Sequence, residues 1–150
     1  EREYTQKVPE YISLAFPAVE QRVKKMNYKG NFVICIANES SKELQDVFED
    51  NLFRSATSRA CISLLLPKNG ESFRELRVGD HSTFWDAGYP GIFIGDGADT
   101  RNPYYHSEYD SLGDLNYAFM KDVTAATLHT VAEKIQLMKC AEAYQEIDVN

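Results

Sequence analysis

Long apolar runs are missing from this 150-residue chain. None approaches the roughly 20 residues that a membrane-spanning helix needs, and the N-terminal stretch EREYTQKVPEY holds no signal-peptide hydrophobic core. Basic residues are in deficit, 16 against 23 acidic, and no basic stripe interrupts that balance. The net charge of -7 argues against attachment to nucleic acid or to an anionic membrane surface. Cysteine is scarce: Cys35, Cys61 and Cys140 are odd in number and lack CxxC spacing. Buried thiols are therefore the favoured reading over a disulfide or a metal role. HExxH, HxH and paired Cys/His spacings are absent, as are GxSxG, P-loop and GxGxxG motifs, which lowers the serine hydrolase and nucleotide-binding readings. There is no internal repeat or low-complexity segment. The chain opens on Glu1 rather than Met, as expected of a processed product or an excised piece.

What is present fits one domain spanning residues 1–150, since a hydrophobic content of 43% over this length supplies one real core. Pro9 and Pro17 interrupt the first 27 residues, so an irregular lead-in is expected. Phe32-Val33-Ile34-Cys35-Ile36 is a continuous, largely β-branched run suited to a strand buried on both faces. Ser40 and Glu43 stand at capping-box spacing before a helix with Leu44, Val47, Phe48 and Leu52 on one face. Cys61 to Leu66, closed by Pro67 and Asn69-Gly70, reads as the second strand. Ser82 to Ala87 predicts a short helix stopped by Gly88 and Pro90, and Gly91 to Gly95 a third strand. Asn116 is placed to cap a long helix with an inward stripe of Phe119, Val123, Ala126, Thr130, Ile135 and Met138, followed by an acidic tail expected to fray. This order implies an α/β fold with a mostly parallel sheet flanked by helices.

The chemistry is concentrated between Gly79 and Asp114. Asp96, Asp99, Arg101, Asn102, Tyr104, Tyr105, His106, Glu108 and Asp110 follow the third strand in one loop, and loops just beyond strand ends are where α/β sheets gather ligands. Histidine among carboxylates suits zinc, so the residues leave His106 as either a metal ligand or an ordinary surface or capping residue. His81, beside Asp80, reads as a second ligand or as half of a helix-start hydrogen-bonding pair. His129 reads as a packing residue of the last helix. Tyr104 and Tyr105 could donate to a developing oxyanion or merely cover core.

Two blocks bear a family likeness. Asp80-His81-Ser82-Thr83-Phe84-Trp85-Asp86-Ala87-Gly88-Tyr89-Pro90 reads DHxxFWxxGxP, and Tyr105-His106-Ser107-Glu108-Tyr109-Asp110-Ser111, with Leu115 beyond, reads YHxxxDSxxxL. Together they resemble the C-terminal portion of the zinc aminopeptidase family, two-zinc exopeptidases related to glutamate carboxypeptidases and glutaminyl cyclases. The resemblance spans roughly Gly30 to Glu133. It implies a zinc-exopeptidase-like three-layer fold, hydrolysis of N-terminal peptide bonds, and a peptide as substrate. It makes His106 a zinc ligand and Tyr105 the catalytic oxyanion donor, places Asp80 and His81 on the substrate side, and has Asp110 order the loop through backbone hydrogen bonds. The family's upstream HxD and Glu-Glu pairs, which hold the other ligands and the general base, have no counterpart here. The chain alone is therefore expected to be inactive, with a partial or absent site for the two zinc ions. Self-association through surfaces that further chain would cover is also expected. The alternative is a non-catalytic binding or interaction domain of the same fold.

Overall fold

The computed structural model describes residues 5–55 and 60–135. Three strands form one sheet: β1 (Phe32–Asn38), β2 (Ala60–Leu66) and β3 (Ile92–Gly95), in the spatial order β2-β1-β3. The helices are α1 (Glu10–Ala15), α2 (Pro17–Lys25), α3 (Lys42–Ser55), α4 (His81–Asp86), α5 (Ala98–Arg101) and α6 (Tyr117–Lys134).

Strand β1 is central and covered on both faces, which is why its sequence is apolar without alternation. Val33 and Cys35 join Cys61, Phe48, Leu52 and Ala126 in the core under α3 and α6. On the opposite face Ile36 and Leu64 meet Ile12 of α1, and Phe32 and Ile62 meet Val23 of α2. Within the α3 layer the buried Gln45 turns its amide to the carbonyls of Cys35 and Leu64 at 3.1 and 3.3 Å, so it enters the core with its donor satisfied.

The sheet is mixed rather than mostly parallel. β2 runs parallel to β1 from Phe32↔Ala60 to Asn38↔Leu66, but β3 runs antiparallel, from Ala37↔Ile92 to Ile34↔Gly95. The cause lies at the carboxyl ends of β1 and β2. Asn38 Nδ2 donates to Asn69 Oδ1 at 2.9 Å, Asn69 Nδ2 donates to the carbonyl of Trp85 at 3.1 Å, and the Gly91 amide donates to Ser41 Oγ at 2.9 Å. The link between β2 and β3 is thus tied to the end of the sheet where β2 stops. A parallel β3 would require the chain to cross back to the other end first.

Three further expectations are corrected. The lead-in is helical, because Pro17 occupies the first turn of α2, where its missing N–H costs nothing. Ser40 and Glu43 form no capping box: Ser40 Oγ donates to Asn38 Oδ1 at 3.0 Å, and Glu43 accepts from Lys134 Nζ of α6 at 2.5 Å. On α6, Asn116 does cap, accepting from the Phe119 amide at 3.0 Å, but Ile135 is 57% exposed and His129 is exposed as well. Met138, Cys140 and the acidic tail lie outside the described residues. No helix among the described residues is long and apolar enough to cross a membrane.

Candidate functional site

Short helix α4 begins the site. Gly88, at φ +80°, closes it in the left-handed conformation that suits glycine. Trp85 is buried and donates its indole N–H to the carbonyl of Gly91 at 2.8 Å, which fixes the start of β3. One turn earlier, His81 is 7% exposed and packs edge-on against Trp85, with ring centroids 4.6 Å apart, and near Phe93 at 5.4 Å. Its Nε2 lies 2.9 Å from the carbonyl of Leu76. A carbonyl can only accept, so this contact assigns the proton to Nε2 and leaves Nδ1 as an acceptor. Nδ1 is buried with no hydrogen-bond partner. It packs over Gly79, where an added Cβ would sit 2.8 Å away, so glycine is required for this approach.

The N-terminal segment forms the facing wall. The Gln6 amide donates to the Tyr28 carbonyl at 2.7 Å, and the Lys7 amide donates to the Thr100 carbonyl at 2.8 Å. Gln6 is buried and bridges two loop residues: its Nε2 donates to Thr100 Oγ1 at 2.7 Å, and its Oε1 accepts from Arg101 Nε at 3.0 Å. The Arg101 guanidinium lies over the Phe32 ring, 4.7 Å from its centroid. Burial lowers its pKa, and the charge of Asp96 opposes that effect. Gly30 makes room for it, since a Cβ there would come within 2.7 Å of Arg101 Cδ and Nε.

Between this segment and the sheet lies a cleft of about 330 Å³, floored by Ile34, Ile36, Leu64 and Phe93, with His81 in its wall and Tyr105 at its rim. His81 and Tyr105, 24 positions apart in the chain, are therefore brought together. Asp80 and His106 are not part of the lining. Asp80 is exposed at the start of α4, where its carbonyl, not its carboxylate, accepts the first helical amides. His106 is exposed at φ +59°, and its ring stacks on that of Tyr105 with centroids 3.9 Å apart and planes 18° apart. Asp110 orders the loop through its side chain rather than by capping amides, accepting from Asn102 Nδ2 at 3.0 Å.

Among the described residues no three His, Cys, Asp or Glu side chains group so that they could hold a metal ion. A catalytic zinc needs three protein ligands, so His106 with its neighbours among the described residues does not fit a complete centre. Cys35 and Cys61 are free and buried in the opposite core. The Cys35 thiol is pushed above the ordinary thiol range, first by its hydrogen bond with Cys61 and then by burial. Sequence reasoning overlooked Gln6, whose partners lie 94 and 95 positions away and leave no local signal. No known protein family, curated protein or solved structure matches the chain.

Proposed function

We propose that this chain is the substrate-side, C-terminal portion of a zinc-dependent aminopeptidase-like hydrolase of the three-layer exopeptidase type. It would act on N-terminal peptide bonds once further polypeptide completes the metal centre. The observation that supports this reading is the position of Tyr105, on the rim of the cleft with its 43% exposed ring stacked on His106. A peptide whose N-terminal side chain entered the cleft would bring its first carbonyl to the rim. There the Tyr105 hydroxyl would donate to an oxygen that gains negative charge. The role of His106 in this reading is that of one exposed imidazole offered to a metal whose remaining ligands come from elsewhere. Asp80 and His81 would support the substrate side.

The test compares two substitutions in a polypeptide that includes the upstream elements. His106→Ala should lower zinc content and peptidase turnover together. Tyr105→Phe should leave zinc content near normal, lower turnover about 100- to 1000-fold and barely move KM. Near-normal turnover in Tyr105→Phe would remove Tyr105 from the chemistry. The 150-residue chain alone should show no peptidase activity and only weak zinc binding by calorimetry; submicromolar affinity would refute the one-ligand reading.

A second reading is a non-catalytic binding or interaction domain of the same fold. Peptide binding without hydrolysis by the longer, zinc-loaded polypeptide would select it. Self-association belongs to both readings. Leu128, Val131 and Ile135 of α6 are 64%, 49% and 57% exposed, and among the described residues β2 and β3 each pair on one side only, with β1. Light scattering should show mass rising with concentration; a clean monomer throughout would exclude it.

A further inference from the structure

We infer that Gln6 is a positioning residue for the Tyr105–His106 pair, and that the segment carrying it is a strap that holds the loop of those two rings in place. The coupling rests on geometry; only its catalytic meaning rests on the hydrolase reading above.

Helix α5 is the link. With four residues it is far below the roughly 12 to 15 that a helix needs to persist unaided, so its place comes from what it touches. Gln6 touches both of its last residues. Thr100 Oγ1 donates to the Gly97 carbonyl at 2.6 Å and so accepts from Gln6 Nε2 at 2.7 Å, while Arg101 Nε, which can only donate, meets Gln6 Oε1 at 3.0 Å. Donor and acceptor of one amide are thus both used, and Arg101 Nη2, buried without a partner, does not duplicate the hold. Asn102 passes the position on. Its amide donates to the Ala98 carbonyl at 2.7 Å, its Oδ1 accepts from the Tyr104 amide at 2.9 Å, and its carbonyl accepts from the Tyr105 amide at 3.2 Å. Beyond it the loop has little core of its own: Tyr105 is 43% exposed, and residues 106–112 are exposed throughout. His106 moreover holds φ +59°, a conformation that a non-glycine residue keeps only where its surroundings impose it. A loop that is exposed, strained and hung from a single-turn helix takes its geometry from whatever fixes that helix. Gln6, 4% exposed, is that fixture.

Gln6→Met tests this in the 150-residue protein, since it keeps the length of the side chain and removes both hydrogen bonds. In NMR spectra the His106 ring signals should lose the ring-current shift that Tyr105 imposes at 3.9 Å, and the ring-to-ring Overhauser contacts should disappear. The methyl signals of Val33 and Leu52, in the core under α3 and α6, should stay in place. Such shifts report the geometry of the native state and not its stability, so a glutamine that merely stabilised the fold would leave them unmoved. An unchanged Tyr105–His106 signature in folded Gln6→Met protein would overturn the positioning role, as would displacement of the Val33 and Leu52 signals to the same extent. If the variant does not fold, hydrogen exchange of the unmodified protein decides. The Lys7 amide, which donates to the Thr100 carbonyl at 2.8 Å, and the Tyr105 amide should open as one unit, with protection factors within about threefold of each other. A larger gap would show that strap and loop move independently, and would overturn the proposal.

Discussion

The two faces of the sheet are finished differently. On one, α3 with 14 residues and α6 with 18 lie across the strands and seal them: Cys35, Phe48 and Ala126 are 0% exposed. On the other, α1 with 6 residues and α2 with 9 are too short to cover the same width, and the cleft occupies what they leave open. A closed face contributes cohesion; an incompletely covered face can bind. The same strand β1 serves both, alternating Val33 and Cys35 to one side with Phe32, Ile34 and Ile36 to the other.

Truncations on the two faces should give the largest contrast. Phe48→Ala opens a cavity in a sealed core and should cost about 3 to 5 kcal/mol. Ile36→Ala, at 5% exposure on the cleft floor, only widens a space that solvent already reaches, and should cost about 2 kcal/mol, the low end for such a change. Urea unfolding with an unchanged m-value would measure both. Equal losses would mean that the cleft is closed in solution and the two faces are alike.

Next in size is an alkaline effect that belongs to the closed face. The folded-state pKa of Cys35 lies above its ordinary value of 9.0, through its bond with Cys61 and then through burial, while the same bond lowers that of Cys61 and so opposes part of the effect. Below that value the thiol is protonated in both states and has no influence on stability. As pH rises past it, the unfolded thiol ionises while the native one stays protonated, so stability falls by up to about 1.4 kcal/mol per pH unit. Cys35→Ala also removes the bond that lowers Cys61, so the variant that should lose the dependence is the double substitution of Cys35 and Cys61 by Ala. Parallel urea titrations at pH 7.5 and 10 check it, and identical pH slopes for the unmodified and the doubly substituted protein would show that the thiol pair ionises equally in both states.

The strands were legible because FVICI, CISLLL and GIFIG are apolar runs bounded by turn residues. The caps of α6 and α4 were legible because Asn116 and Gly88 act within their own turn. The direction of β3 was not, since periodicity reports burial and not orientation, and orientation is set by Asn38, Asn69, Ser41 and Gly91 meeting across the chain. Ser40 and Glu43 had the right spacing for a capping box, but Asn38 and Lys134 engage them instead. Tertiary partners outcompeted the local pattern. At the site, Tyr105 and His81 do share one cleft, whereas the wall supplied by Gln6 depends on contacts that no local pattern encodes.

The smallest effect separates two ion pairs, one beside each face. Glu43 and Lys134 join α3 to α6 at 2.5 Å, yet the Glu43 side chain is 85% exposed. An exposed pair is weakened by solvent and by the ordering of two long side chains, so Glu43→Ala should cost at most about 0.5 kcal/mol. Arg77 and Asp86 hold the connection beside the cleft differently: Nη2 reaches both carboxylate oxygens at 2.7 and 2.6 Å, and the Arg77 side chain is only 17% exposed. Arg77 also donates through Nη1 to the carbonyl of Asn69, so its orientation is fixed before Asp86 arrives. Asp86→Ala would leave a mostly buried guanidinium without its carboxylate, and should cost about 1 to 2 kcal/mol. Salt separates them further. Raising ionic strength to about 1 M shortens the screening length to roughly 3 Å, which should erase the Glu43 effect. Much of the Asp86 effect should survive, because the lost hydrogen bonds of a shielded guanidinium are not restored by mobile ions. Chemical denaturation of the two variants at low and high salt decides it, and an Asp86 effect that also vanishes in salt would place Arg77 in water rather than against the fold.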